Sequence, residues 1–335
     1  MKRRIALIMV LLVTVLTAAG CGNNGLADYK KSVDKTDQIT KGQKSGEFSM
    51  TMDFNTEGMT QEDINELNYY KDMSGSFRSA FDHSKNQGIY RNYLNLGGLG
   101  FDFDLYKNGE EMFVKLPIVG KYMKMDDILK EASQSTGDQS TEEYSKMISD
   151  DTLETLSAEW VGMLKKEDIF KGKDIVLTTP DGEVKTTVYT ITLDDSQVKA
   201  LGENSINILS KDENLRNNFK EWMKKNADQT TEDFDEFVAE IKDHILQDTV
   251  KQFQYVAYVD IDGYIVNETI EVKIKREALE QGEPKTIDFQ LEMKHWDINK
   301  DQKLEFPVLT DENTMKTDEL DQTMPSLFKN LLKSQ

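Results

Sequence analysis

Few residues in this chain are of a type and spacing that could do chemistry. There are three histidines, His83, His244 and His295, and a single cysteine, Cys21. A histidine can activate a serine or cysteine nucleophile. These three stand far apart in sequence, and no Gly-x-Ser-x-Gly elbow accompanies them. One cysteine excludes a disulfide framework and a cysteine-based zinc site, and three scattered histidines do not suggest a His-rich metal cluster. Asp260 and Asp262 could divide acid and base roles, but they flank a turn, where a solvated tip is the better account. Asp297-x-Asn299-x-Asp301 opens like a calcium loop, yet the positions that should hold Gly and Glu hold Gln302 and Val308, so the segment reads as a turn before the last strand. Leu96-Gly97-Gly98-Leu99-Gly100 precedes a strand rather than a helix and is no phosphate loop. No catalytic constellation emerges, and no cofactor or metal is expected.

Composition bounds the remaining functions. The chain has 335 residues, 38% of them hydrophobic, so a packed core is within reach. With 61 acids against 41 bases the net charge is −20, which repels the phosphates of nucleic acid. Fifteen methionines is a high count; Met50, Met52, Met112, Met123 and Met293 fall in or beside strands. Their flexible thioethers suit a surface that accepts varied apolar shapes, although core filling explains most of them.

The N-terminus carries the compartment signal. Lys2, Arg3 and Arg4 precede an apolar run from Ile5 to Leu16 that is broken only by Thr14. That run is too short to span a bilayer, which needs roughly 20 apolar residues. Ala18, Ala19, Gly20 and Cys21 follow. The pattern resembles a bacterial lipobox, with Ala18 where leucine is usual. The resemblance implies that residues 1–20 are a signal peptide, cut before Cys21, and that the Cys21 thiol carries a diacylglyceryl group, with palmitate-like chains anchoring the protein to the membrane. Each buried methylene adds about 0.8 kcal/mol, so two or more acyl chains hold where one would not. Loss of a leader with three bases takes the charge from −20 to −23, so anionic headgroups add no attraction and the body stands off the surface. The expected location is the extracytoplasmic face of a cell membrane, and the Lys-rich, Pro-poor composition points to a Gram-positive source.

The elements that would position any site follow from periodicity. Residues 21–26 read as a lipidated tether, followed by an amphipathic helix at about 27–40 through Leu26, Tyr29 and Val33. Phe48, Met50, Met52 and Phe54 alternate with polar residues, as do Phe101, Phe103 and Leu105, and Ile287, Phe289, Leu291 and Met293. Such alternation describes antiparallel strands with one buried face. Asn108-Gly109, Asp181-Gly182 and Asp262-Gly263 supply hairpin turns. Helical stripes mark 141–166, 195–210, 213–225 and 229–246, the last with Thr230 or Thr231 as N-cap. Residues 132–140 read as a loop, and 309–335 as a loosely attached tail with an amphipathic end (Leu327, Phe328, Leu331, Leu332). With no Pro/Gly-rich linker, the expectation is a single α+β domain over 27–308, a large curved antiparallel sheet packed against helices.

Three segments add a family resemblance: Tyr29-Lys30-Lys31-Ser32-Val33-Asp34-Lys35-Thr36 leading into the Phe48 strand; Tyr258-Val259-Asp260-Ile261-Asp262-Gly263-Tyr264-Ile265; and Asp297-Ile298-Asn299-Lys300 followed by Leu304-Glu305-Phe306-Pro307. In element order and pattern the chain resembles the LolA-like lipoprotein carriers, the group of the LppX/LprG lipoproteins. That resemblance implies a half-barrel with helices in its hollow, a closing strand ending in Pro307, and binding of acyl chains without chemistry; the helical insert at 195–246 departs from it. The expected inner face is lined by Phe48, Met50, Phe101, Phe103, Phe289 and Leu291 and meets the helices at 141–166 and 229–246. A gap between them would take a lipid or another apolar ligand. With no gap, the fold would be a solid scaffold whose surface binds an envelope protein partner.

Overall fold

A computed structural model of the chain describes residues 24–117, 120–125, 148–225, 233–276 and 280–315. The signal segment, Cys21, the 132–140 loop, Thr230, Thr231 and residues 316–335 of the tail lie outside the described residues.

Eleven strands form one antiparallel sheet: β1 (Lys41–Phe54), β2 (Asp72–Asp82), β3 (Gln87–Leu96), β4 (Leu99–Asn108), β5 (Glu111–Leu116), β6 (Lys121–Lys124), β7 (Ile169–Thr179), β8 (Gly182–Thr192), β9 (Thr249–Asp260), β10 (Ile265–Lys275) and β11 (Pro284–Trp296). The spatial order is β6-β5-β4-β3-β2-β1-β11-β10-β9-β8-β7. The chain thus lays down two meanders and joins them where β1 pairs with β11, Met50 opposite Phe289 and Phe48 opposite Leu291. The sheet is curved and open. The three expected hairpins form, as β4–β5, β7–β8 and β9–β10.

Six helices lie among the described residues: α1 (Asn24–Asp37), α2 (Gln61–Lys71), α3 (Asp150–Met163), α4 (Asp195–Leu209), α5 (Glu213–Lys225) and α6 (Phe234–Gln247). In α1, Tyr29 and Val33 are one turn apart and both buried. Ser149 caps α3, and Asp194 with Gln197 forms a capping box on α4. The pattern reading gave no helix at α2. Thr60 and Asp63 box its start, but only Leu67 is buried, so the helix leaves almost no apolar stripe.

The main core unites Tyr29 and Val33 of α1, Leu67 of α2, Trp160 of α3 and Leu201 of α4 with the inward residues of β1 and β8–β11. The 229–246 expectation needs correction. α6 does not lie on the sheet; Ile206, Phe234 and Val238 form a separate small core with Leu215, Phe219, Phe237, Ile241 and Ile245. Its apolar stripe is used up by α4 and α5.

The end of the sheet also differs from expectation. The last strand stops at Trp296, and residues 297–310 are irregular. Asp297 and Asn299 adopt positive φ, 48° and 58°, a conformation that ends strand pairing. The Asp297–Asp301 segment is therefore a turn after the last strand. The tail is not loose at its start. Tyr122 N–H donates to Asn313 (2.8 Å), Met315 N–H donates to the Tyr122 carbonyl (2.8 Å), and Met315 is buried.

Candidate functional site

Cross-strand register maps the helix-bearing inner face residue by residue, because directly opposed side chains point to the same side. One row runs Phe101, Leu94, Gly75, Phe48, Leu291, Ile270, Tyr255, Ile191 across β4-β3-β2-β1-β11-β10-β9-β8. The next runs Phe103, Asn92, Phe77, Gly46, Met293, Glu268, Ala257, Tyr189. Both cross eight of the eleven strands, from β4 to β8, and their surroundings change at β1.

On the β1/β8–β11 side the face is closed. Trp160 of α3 stacks tilted on Phe253 at 5.6 Å, and Tyr29 of α1 stacks on Tyr189 at 5.5 Å. Met50, Phe289 and Leu291 belong to this closed core, with at most 7% exposure. On the other side Leu94, Phe101, Phe103, Leu105 and Val114 keep partial exposure, and none of the described helices packs extensively on β3–β6. The seam is built on two glycines. The Phe48 ring covers Gly75 and the Phe77 ring covers Gly46, so that a Cβ on either would sit 2.5 Å or less from a ring carbon. The structure thus divides the six residues expected on this face: Met50, Phe289 and Leu291 fill the core, Phe48 and Phe101 are partly buried against it, and Phe103 lies on the partly open half. Cys21 lies outside the described residues.

Beneath α1 the same face carries a polar cluster that the sequence reading did not pick out. Tyr255 Oη donates to Glu268 Oε2 at 2.7 Å, and His295 Nε2 lies 4.0 Å from Glu268 Oε1, too far for a hydrogen bond. His295 Nε2 is buried without a partner. Burial, then the Lys44 charge, pushes the His295 imidazole down to about 3, so it is neutral. Burial raises Glu268 and pushes the Tyr255 phenol well above its ordinary range. Asp37, at the end of α1, is held up to about 6 by desolvation and the neighbouring Asp34 charge. A signal was present: Glu268 is in phase with Ile270 and Val272, and His295 with Met293 and Leu291, so alternation places both inward.

The other motifs are structural. Asp260 Oδ1 accepts from Tyr264 N–H at 2.8 Å within its own hairpin. Asp297 is engaged by Lys300 Nζ (3.0 Å) and Gln43 Nε2 (2.9 Å). His83 is stacked on Phe81, and the side chain of His244 is not among those described. A cleft of 330 Å³ opens between α1, strands β8 and β9 and the β9–β10 turn, lined by Lys31, Lys35, Tyr189, Asp260 and Asp262 among others. Its mixed charges make it no acyl site. Among the described residues no group of His, Cys, Asp or Glu could hold a metal ion, and no helix is long and apolar enough to cross a membrane.

No protein-family model matches the chain, and no curated protein matches it. A solved structure with some likeness is the crystal structure of a beta-barrel-like protein of domain of unknown function DUF1849 from Brucella abortus. It shares 9% identity over 76% of this chain and 98% of that one, with a TM-score of 0.16. A likeness at that level carries no functional argument.

Proposed function

We propose that this chain is a LolA-like, lipid-anchored extracytoplasmic protein that holds an acyl chain or similar apolar ligand without transforming it. One observation carries the reading: the apolar inner face continues past the packed core onto β3–β5, where Leu94, Phe103, Leu105 and Val114 keep partial exposure. An apolar row of this kind, continuous with a rigid core, suits a chain-shaped ligand. The Cys21 lipobox supplies the tether. A second reading, an envelope scaffold that binds protein, draws support from Phe170 and Val176, which are 70% and 63% exposed on β7.

Uptake of a fluorescent fatty acid and native mass spectrometry of the purified protein test the carrier. Bound lipid is expected, with uptake reduced about tenfold in Phe103→Asp, a loss of about 1.4 kcal/mol. An empty mass and no uptake would favour the scaffold. Turnover in hydrolase assays would overturn both readings. For the anchor, Cys21→Ser should release the protein or leave the leader uncut; a variant with its leader removed that stays on the membrane like the parent would refute acylation.

A further inference from the structure

The two edges of the sheet are finished differently. At one edge β6 is met by the protein's own C-terminal segment, through the two backbone hydrogen bonds between Tyr122 and residues 313 and 315. At the other edge β7 pairs only with β8 among the described residues. It is eleven residues long, with Phe170, Ile175 and Val176 among the most exposed large apolar side chains of the molecule. A bare edge offers a row of backbone donors and acceptors to another strand. The first half of β7 is guarded. The ladder shifts between Lys171 and Asp174, and Lys171 is held by Asp28 of α1 at 2.7 Å. The second half, Asp174-Ile-Val-Leu-Thr-Thr179, is regular and unguarded.

We propose that this half of β7 is a homodimer interface, pairing antiparallel with β7 of a second copy about Val176 to form one continuous sheet. The sequence of the edge selects both the partner and the register. Centred on Val176, Ile175 meets Leu177, Asp174 meets Thr178 and Lys173 meets Thr179, so that apolar residues oppose apolar ones and no like charges meet. Centring on Asp174 sets that carboxylate against its own copy. Centring on Ile175 sets Lys173 against Leu177 and Asp174 against Val176. Centring on Leu177 brings Asp174 opposite Pro180, which has no N–H to give. Lys185 of β8 already neutralises Asp174, at 2.8 Å, so no charge on the central segment is stranded by pairing. The net charge of −20 on each copy opposes approach, so pairing strengthens as salt screens that repulsion.

Sedimentation velocity of the full-length chain in mild detergent, at low and high salt and up to about 100 μM, tests this. The expected result is a concentration-dependent shift from monomer to dimer mass, larger at high salt. Val176→Lys should stay monomeric with an unchanged circular dichroism spectrum. A monomer under all conditions, or a Val176→Lys protein that dimerises like the parent, would overturn the proposal. Should Val176→Lys fail to fold, Val176→Cys in a Cys21→Ser background decides. Oxidation should cross-link it into a covalent dimer at least about tenfold faster than Leu246→Cys, an exposed site off the edge (51% against 63% for Val176). Equal rates would count against pairing at β7.

Discussion

The two halves of the inner face are made from the same strand pattern and end in different states. On β1 and β8–β11 the inward residues are covered by α1, α3 and α4, and Trp160, Tyr29 and Phe253 are fully buried. On β3–β5 the inward residues are no less apolar, yet Leu94, Phe103, Leu105 and Val114 stay half-buried. Alternation therefore reports which way a side chain points, and it takes a covering helix to make that direction a core. The lesson is general for large open sheets, whose strands outnumber the helices available to cover them.

This contrast can be broken by stability measurements. The largest effect is expected from Trp160→Ala, which empties the closed half and should cost about 3–5 kcal/mol in urea unfolding. A loss under about 1 kcal/mol would mean that α3 is not the lid the packing implies. Next comes the seam: Gly75→Ala must displace the Phe48 ring or the Tyr93 carbonyl, which a Cβ would approach to 2.5 and 2.8 Å. A cost of about 1–3 kcal/mol is expected, and a neutral result would show that the two halves move independently there.

Between pH 7 and 5 the effect of pH is smaller than that of Trp160→Ala. His295 is neutral in the folded protein, at about 3, against 6.5 for an exposed imidazole. Unfolding therefore takes up a proton below pH 6.5, and stability falls as pH drops from 6.5 toward 3, by about 1.4 kcal/mol per unit. Urea midpoints at pH 7, 6 and 5 should fall less steeply in His295→Gln than in the parent; identical slopes would place the imidazole in water. The smallest stability effect belongs to the open half, where Phe103→Ala should cost under about 1 kcal/mol. A cost near that of Trp160→Ala would erase the distinction between the halves.

Much of the fold was legible in the residues. The alternation of Phe48 to Phe54 and of Ile287 to Met293 marks β1 and β11, and Asn108-Gly109, Asp181-Gly182 and Asp262-Gly263 mark three hairpins, because period and turn chemistry are local properties. α2 was invisible because a helix that buries one leucine leaves no stripe. The closing strand expected at Leu304–Pro307 does not form; the last strand is the one through Ile287 to Met293, which ends at Trp296, where Asp297 and Asn299 turn the backbone to positive φ.

The candidate site was legible only as a direction. Phe48, Met50, Phe101, Phe103, Phe289 and Leu291 do share one face, as the register requires. Which of them are sealed depends on helices that approach from distant parts of the chain, and α6 turns away to pack on α4 instead. Sequence alone determined the antiparallel strands, the inward phase of each and the acidic, single-cysteine character of the chain, because these depend on side-chain type and spacing. Only the tertiary structure decided that the face is half closed, that Glu268 and His295 lie close together beneath α1, and that one sheet edge is met by residues 313–315 while β7 has no strand on its outer side among the described residues. Those outcomes depend on contacts between segments far apart in the chain, about which local periodicity carries no information.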